Sequence, residues 1–196
     1  WGVSGGTRSN LFSYSVDGSA TNVPRSSVGT FNVPTIVMSA AHSVSDASVT
    51  QYLLTVTSAH DSPTPVSGSW FDSGTLVNAS VLSPADVSGG TRYRCIGWTG
   101  AGSVPSSGLT SSVSFTIGAP SSVTWNWQTQ YFMTFVQVGL DGSTSSGTLL
   151  TVNGTGVSYA LLPYSVWVNS GDSLVYSYNG TVSSGVGGKR FVVGSV

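Results

Sequence analysis

Thr50-Gln51-Tyr52-Leu53-Leu54-Thr55-Val56 returns as Thr129-Gln130-Tyr131-Phe132-Met133-Thr134-Phe135. Both stretches are rich in aromatic, aliphatic and β-branched side chains, which favour extended backbone. Other blocks recur around them. Ser4-Gly5-Gly6-Thr7-Arg8 returns as Ser88-Gly89-Gly90-Thr91-Arg92 and again as Gly187-Gly188-Lys189-Arg190. Ser69-Trp70-Phe71-Asp72-Ser73-Gly74 resembles Val166-Trp167-Val168-Asn169-Ser170-Gly171. Ser26-Ser27-Val28, followed by Pro34, resembles Ser111-Ser112-Val113, followed by Pro120. Repetition of this kind marks one supersecondary unit used more than once.

The order of the blocks sets the expected organisation. Residues 50–128 hold one full unit, and residues 129–196 hold a second that stops after its Gly187-Gly188 strand. The last two strand types of the full unit, 112–117 and 123–127, have no later copy. Residues 1–49 supply that type instead, at 30–33 and 35–40. Thr30, Phe31, Val33, Ile36, Val37 and Met38 are therefore the candidate strand-donating residues. Either this N-terminal segment folds back to complete the second unit, or it completes the second unit of a neighbouring copy. In both arrangements an added strand covers an open edge and an apolar groove. A third reading makes the chain an excerpt of a longer repeat array.

Period-two alternation predicts strands at 52–57, 75–82, 93–98, 113–117, 123–127, 131–138, 148–152, 173–178 and 190–193. Asp17-Gly18, Asp141-Gly142, Asn153-Gly154 and Asn179-Gly180 are turn signals, because these pairs accept positive φ. No stretch carries a helical period. The expected fold is all-β: two tandem, immunoglobulin-like β-sandwich domains joined near Gln128-Thr129, with an N-terminal strand segment that completes a domain.

Composition narrows the function. Charged residues are 7% of the 196, against about 25% in soluble proteins at large. The six Trp, eight Tyr and seven Phe supply a core, which argues against disorder. With net charge −1 and no basic run, nothing attracts a nucleic-acid backbone. No run is long and apolar enough to predict a membrane-spanning helix. Cys95 is single, so no intrachain disulfide forms, and its strand context reads as a buried small hydrophobe. The chain begins at Trp1 rather than Met, as expected after removal of a leader.

At 69–74 and at Gly90-Thr91-Arg92-Tyr93-Arg94-Cys95-Ile96-Gly97-Trp98-Thr99-Gly100, the sequence resembles extracellular repeats related to the internalin B-repeat. Those repeats carry a "G-W-aromatic-x-x-G … Y-x-F-x-G-W-x-G" pattern. The Thr-Gln-Tyr strand is similar to one in tandem domains of archaeal surface proteins. The resemblance implies a small all-β extracellular module with no catalytic residues. The second unit departs from it, since Phe191-Val192-Val193-Gly194 lacks the following Trp. Strand-donating archaeal surface filaments offer an analogy of architecture alone.

Candidate chemistry is sparse. Gly171-Asp172-Ser173-Leu174 spells the start of a GDSL-type hydrolase motif, but both histidines, His42 and His60, lie upstream of the serine, where that family places none. His60-Asp61 precedes Pro63 and reads as a loop. The seven Asp are scattered, so no metal site and no cofactor are expected. Trp125 and Trp127 share one strand face and are candidates for stacking on a sugar, although large aromatics more often fill cores. Asn78, Asn153 and Asn179 head N-glycosylation sequons. Asn78 faces away from Val77 and Ala79, whereas the other two belong to Asn-Gly turns. Lys189 is a candidate for an isopeptide bond to an Asn, with no evident carboxylate to assist it. The expectation is a non-enzymatic, secreted or cell-surface structural protein whose partners are copies of itself and N-linked glycans. A secreted glycan-binding or adhesion module is the alternative.

Overall fold

The computed structural model describes residues 5–22, 35–144, 147–192 and 194. Thr30, Phe31 and Val33 lie outside them. Among the described residues the structure is all-β, relieved only by a 3-10 turn at Tyr159–Leu161. The chain divides into two compact units that are not contiguous in sequence. The first comprises the described residues up to Ala85 together with Cys95–Trp127. The second comprises Asp86–Arg94 and the described residues from Gln128 onward.

In the first unit, β1 (Thr7–Val16) turns at Asp17-Gly18 into β2 (Ser19–Asn22). Both turn residues have positive φ, 51° and 82°, the hairpin geometry that such a pair favours. β1 runs antiparallel to β3 (Val44–Thr57), from Thr7 opposite Tyr52 to Val16 opposite Val44, with a bulge near Leu11. On its other side β3 pairs with β4 (Ser69–Asp72). β5 (Leu76–Ser80) forms a separate two-stranded sheet with β9 (Ser112–Thr116), Val77 facing Phe115 and Ala79 facing Val113. β6 (Ala85–Ser88) leads through Gly89-Gly90 into β7 (Thr91–Ala101), of which only Cys95 onward belongs to this unit. Residues 98–99 of β7 pair with β8 (Ser107–Gly108). The start of β10 (Ser121–Phe135) pairs parallel with β3, Ser121 opposite Leu54 and Thr124 opposite Thr57.

These layers enclose a sandwich-like core built on Leu54, Val77, Phe115, Ile117, Val123 and Trp125. Leu54, Ile117 and Val123 are fully buried, each worth about 1.5–3 kcal/mol of transfer free energy. Gly97 and Gly108 allow a close backbone approach here. A Cβ on Gly97 would fall 2.0 Å from the Gly108 carbonyl oxygen, and one on Gly108 would fall 2.5 Å from the Trp98 ring.

In the second unit, β10 continues without a break through Gln130 to Phe135 and pairs antiparallel with β13 (Tyr164–Asn169). β11 (Thr148–Val152) turns at Asn153-Gly154 into β12 (Thr155–Ser158) and pairs on its other side with β14 (Tyr176–Tyr178). β15 (Thr181–Ser183) and β16 (Arg190–Val192) form a hairpin. Phe135, Leu149, Leu150, Val152, Val157 and Val182 are the buried core.

The arrangement of the described residues differs from the expected one in two respects. Among the described residues of 1–49, no strand pairs in the second unit. β1 lies along β3 in the first unit, because Thr7-Arg8 is in register with Gln51-Tyr52. The unit boundaries are also not the simple blocks 50–128 and 129–196. Asp86–Arg94 interrupts the first block yet belongs to the second unit, next to the recurring Thr129-Gln130 strand.

Candidate assembly interface

The recurring blocks converge on one constellation, built twice. In the first unit Arg8, Gln51 and Asp72 stand in a row across β1, β3 and β4. The Arg8 Nε–H donates to Gln51 Oε1 at 2.7 Å, and Gln51 Nε2 donates to Asp72 Oδ1 at 2.7 Å. The Arg8 guanidinium lies 4.3 Å from the centre of the Trp70 ring. In the second unit the Arg92 Nε–H donates to Gln130 Oε1 at 2.8 Å, and Gln130 Nε2 donates to Asn169 Oδ1 at 2.9 Å. Arg92 covers Trp167 at the same 4.3 Å.

The backbone repeats with the side chains. Leu53 N–H donates to Gly6 O and Phe132 N–H to Gly90 O, both at 2.8 Å. Ser73 N–H donates to Thr50 O and Ser170 N–H to Thr129 O, again both at 2.8 Å. Gly5-Gly6 and Gly89-Gly90 share φ values of 56° and 79°, which explains why glycine recurs there. Gln51 and Gln130 are buried, yet they sit at odd spacing from the buried core residues 54, 56 and 135. They therefore occupy the sheet face opposite the core. The arginine, its planar stack and the carboxamide form a latch that fixes the Gly-Gly-Thr-Arg strand against the Thr-Gln-aromatic strand. Sequence inspection isolated the three blocks but not their convergence. Their joint recurrence in the chain was the available signal.

The edges above the latches differ. Residues 54–57 of β3 are covered by the parallel start of β10, and Leu54 is 0% exposed. In the counterpart stretch Met133, Thr134 and Phe135 pair with β13, and β10 also neighbours β7, whose Gly90 carbonyl accepts from Phe132 N–H just before them. Met133, the counterpart of Leu54, is 45% exposed, and Val136 is 63% exposed. Beside this edge lies a cavity of about 510 Å³ whose lining includes Val136, Val138, Leu140, Val182, Phe191 and Val192.

Of the candidate strand-donating residues that are described, Ile36, Val37 and Met38 lie in a segment without regular structure, Val37 at 82% and Met38 at 72% exposure. The start of β3 nearby is anchored by Asp17. Its carboxylate accepts from Ser43 N–H at 2.8 Å and meets His42 Nδ1 at 2.6 Å. The hydrogen bond with His42, followed by that from Ser43, holds the Asp17 carboxyl below its ordinary range.

The remaining candidates are placed as follows. Trp125 is buried in the first core and presents no face to a ligand, which corrects its reading as a stacking residue. Trp127 is half-buried, donates from Nε1 to Ser58 Oγ at 3.1 Å and meets His60 edge-on. Asn78 is exposed on β5, where its Oδ1 accepts from Ser114 Oγ. Asn153 has φ 45° in its turn, and its Oδ1 accepts from Val175 N–H. Asn179 donates its carboxamide N–H to the Thr148 carbonyl. Lys189 pairs with Asp141 at 2.7 Å, and this contact with help from Ser143 holds the aspartate well below the usual carboxylate range. Cys95 is buried. Asp172 accepts from Asn169 in the turn after β13, which absorbs the GDSL-like stretch into that turn. Among the described residues no group of three or more His, Cys, Asp or Glu is placed to hold a metal ion, and no helix is long and apolar enough to cross a membrane. No family model, curated protein or solved structure matches the chain.

Proposed function

We propose that the chain is a structural subunit of an extracellular filament or surface layer, assembled by complementation of β-sheets between successive units. The observation that carries this reading is the grouping of Asp86–Arg94 with the second unit, although the chain on either side of it belongs to the first. A strand and its latch arginine, embedded in the sequence of one unit, complete the sheet of the next. The same motif occurs at Gly5-Gly6-Thr7-Arg8, before the first Thr-Gln strand, and at Gly187-Gly188-Lys189-Arg190, after the second. A repeat that completes its successor is suited to chains of indefinite length, because such heterologous contacts do not close on themselves without a rotation that makes them. The scarcity of charge fits close packing of copies, since like-charge repulsion is weak.

Electron microscopy of the purified full chain over a range of concentrations tests the proposal. The expected result is filaments or sheets whose repeat matches an integral number of units. A monodisperse monomer at every concentration refutes it. Of the three sequons, Asn78 is the favoured glycan acceptor. Its carboxamide oxygen rather than its nitrogen is engaged by Ser114, whereas the Asn179 nitrogen is already committed to a backbone carbonyl and Asn153 is held in a positive-φ turn, its oxygen bonded to Val175 N–H. Intact-mass analysis of protein from a glycosylating host checks this against Asn78→Gln.

A further inference from the structure

We infer that residues 35–38 of one copy add as a parallel strand to residues 133–136 of another, and that this joint, which rests on the assembly reading above, links successive subunits. The chain contains its own template for the joint. In the first unit residues 121–124 lie parallel on residues 54–57, with Ser121 facing Leu54, Ser122 facing Thr55, Val123 facing Val56 and Thr124 facing Thr57. The acceptor side recurs with its latch, as Met133, Thr134, Phe135 and Val136. The donor side recurs after a proline, Pro34-Thr35-Ile36-Val37-Met38 matching Pro120-Ser121-Ser122-Val123-Thr124.

Transferring the register places Thr35 opposite Met133, Ile36 opposite Thr134, Val37 opposite Phe135 and Met38 opposite Val136. Each side is unfinished in a way that the other repairs. Val37 is 82% exposed where its counterpart Val123 is fully buried, and Met133 is 45% exposed where Leu54 is fully buried. Val37 points inward in this register and meets the core beside Phe135, next to the 510 Å³ cavity. Met38 and Val136, both exposed, cover one another on the outer face. The occupant is a second copy rather than an unrelated peptide, because the donor carries the same preceding proline, and a valine at the same inward position, as the strand that fills the equivalent slot in this chain. Within the chain, the N-terminal segment that carries the donor is tied to the first unit by β1 and by the Asp17–Ser43 contacts.

Cysteine pairing tests the joint in the full chain, where native Cys95 is buried. Met38→Cys and Val136→Cys proteins are mixed under mild oxidation and resolved on a non-reducing gel. A covalent dimer from the mixture is expected, and a ladder of multimers from the double variant. Pairing Met38→Cys with Thr134→Cys, two residues out of register, is expected to be at least about tenfold less efficient, because the residues are then diagonal neighbours. Filaments seen without a cross-link overturn this joint while leaving assembly by sheet complementation standing. A monomeric double variant with both thiols protected from alkylation places the donor in the same chain and overturns the assignment to a second copy. Monomers with freely alkylated thiols at every concentration overturn both. A Val37→Asp variant, which leaves both latches intact, is expected to stay monomeric. Filaments of Val37→Asp indistinguishable from wild type also overturn the joint.

Discussion

Replacing Arg92 with alanine isolates what the latch contributes to the second unit. The substitution removes a charge-assisted hydrogen bond to Gln130 Oε1, worth about 1.5–3 kcal/mol, and a guanidinium stack on Trp167, worth about 0.5–1 kcal/mol at a partly exposed site. Gln130 is buried, so its oxygen loses its partner in a place that water reaches poorly. The expected loss is about 2–4 kcal/mol, read from urea unfolding of the transition that quenches or shifts Trp167 emission. Arg92→Lys keeps the charge but cannot present a planar group to the ring and the carboxamide together, so it is expected to recover less than half of the loss. A double-mutant cycle with Gln130→Ala gives the coupling directly. If Arg92→Ala unfolds within about 0.5 kcal/mol of wild type, or the cycle returns a coupling near zero, the latch is ornamental and the reading of the repeat as a strand-fixing device fails.

Gly97→Ala forces a Cβ to 2.0 Å from the Gly108 carbonyl oxygen at a φ of 133° and is expected to cost more than about 3 kcal/mol or to abolish soluble expression, as circular dichroism melts show. Leu54→Ala should cost about 2–5 kcal/mol in the first unit, whereas Met133→Ala, at a half-open site, should cost under about 1 kcal/mol in the monomer and act mainly on assembly; denaturation and light scattering separate the two effects. Asp17 and Asp141 have carboxyl groups held below the ordinary value near 3.9, so their contribution is complete above that pH and is lost as the pH falls through their lower folded values. Unfolding followed from pH 6 to pH 2 should therefore show a loss of stability beginning near pH 4, which Asp17→Asn and Asp141→Asn each diminish.

Local chemistry was legible in the sequence where one residue's backbone preference or one strand's alternation decided the outcome. Asp17-Gly18 and Asn153-Gly154 became tight hairpin turns because aspartate, asparagine and glycine accept positive φ. β5 kept Val77 and Ala79 inward and Asn78 outward, as alternation required. The expected strand at 173–178 shrank to Tyr176–Tyr178, because Asp172 is held in the turn after β13. The expected pair of strands at 123–127 and 131–138 proved to be the single strand β10, since Gln128-Thr129 contains no residue that prefers a turn. β13 was recognised as a Trp-containing repeat block but not as a strand. Its role depends on Trp167 meeting Arg92, and that contact is distant in sequence.

The placement of cations joins the latch to the wider architecture. The chain carries six Lys and Arg, and five of them, Arg8, Arg92, Arg94, Lys189 and Arg190, fall within or beside the three Gly-Gly motifs. A chain that is otherwise nearly free of positive charge has concentrated it at the Gly-Gly motifs. On an ordinary solvated surface, scattered lysines would serve solubility equally well, and their position would carry no structural meaning. Here the first two motifs spend their arginines on a buried carboxamide and a tryptophan face. The third has Lys189 bound to Asp141, while Arg190 is exposed at the start of β16. Guanidinium is the cation that can stack and donate in one plane, which accounts for arginine at the two occupied latches. The same chemistry makes Arg190 the counterpart to examine in assembled material: an Arg190→Ala chain that forms filaments as readily as wild type would confine the latch to the two motifs already engaged within the chain.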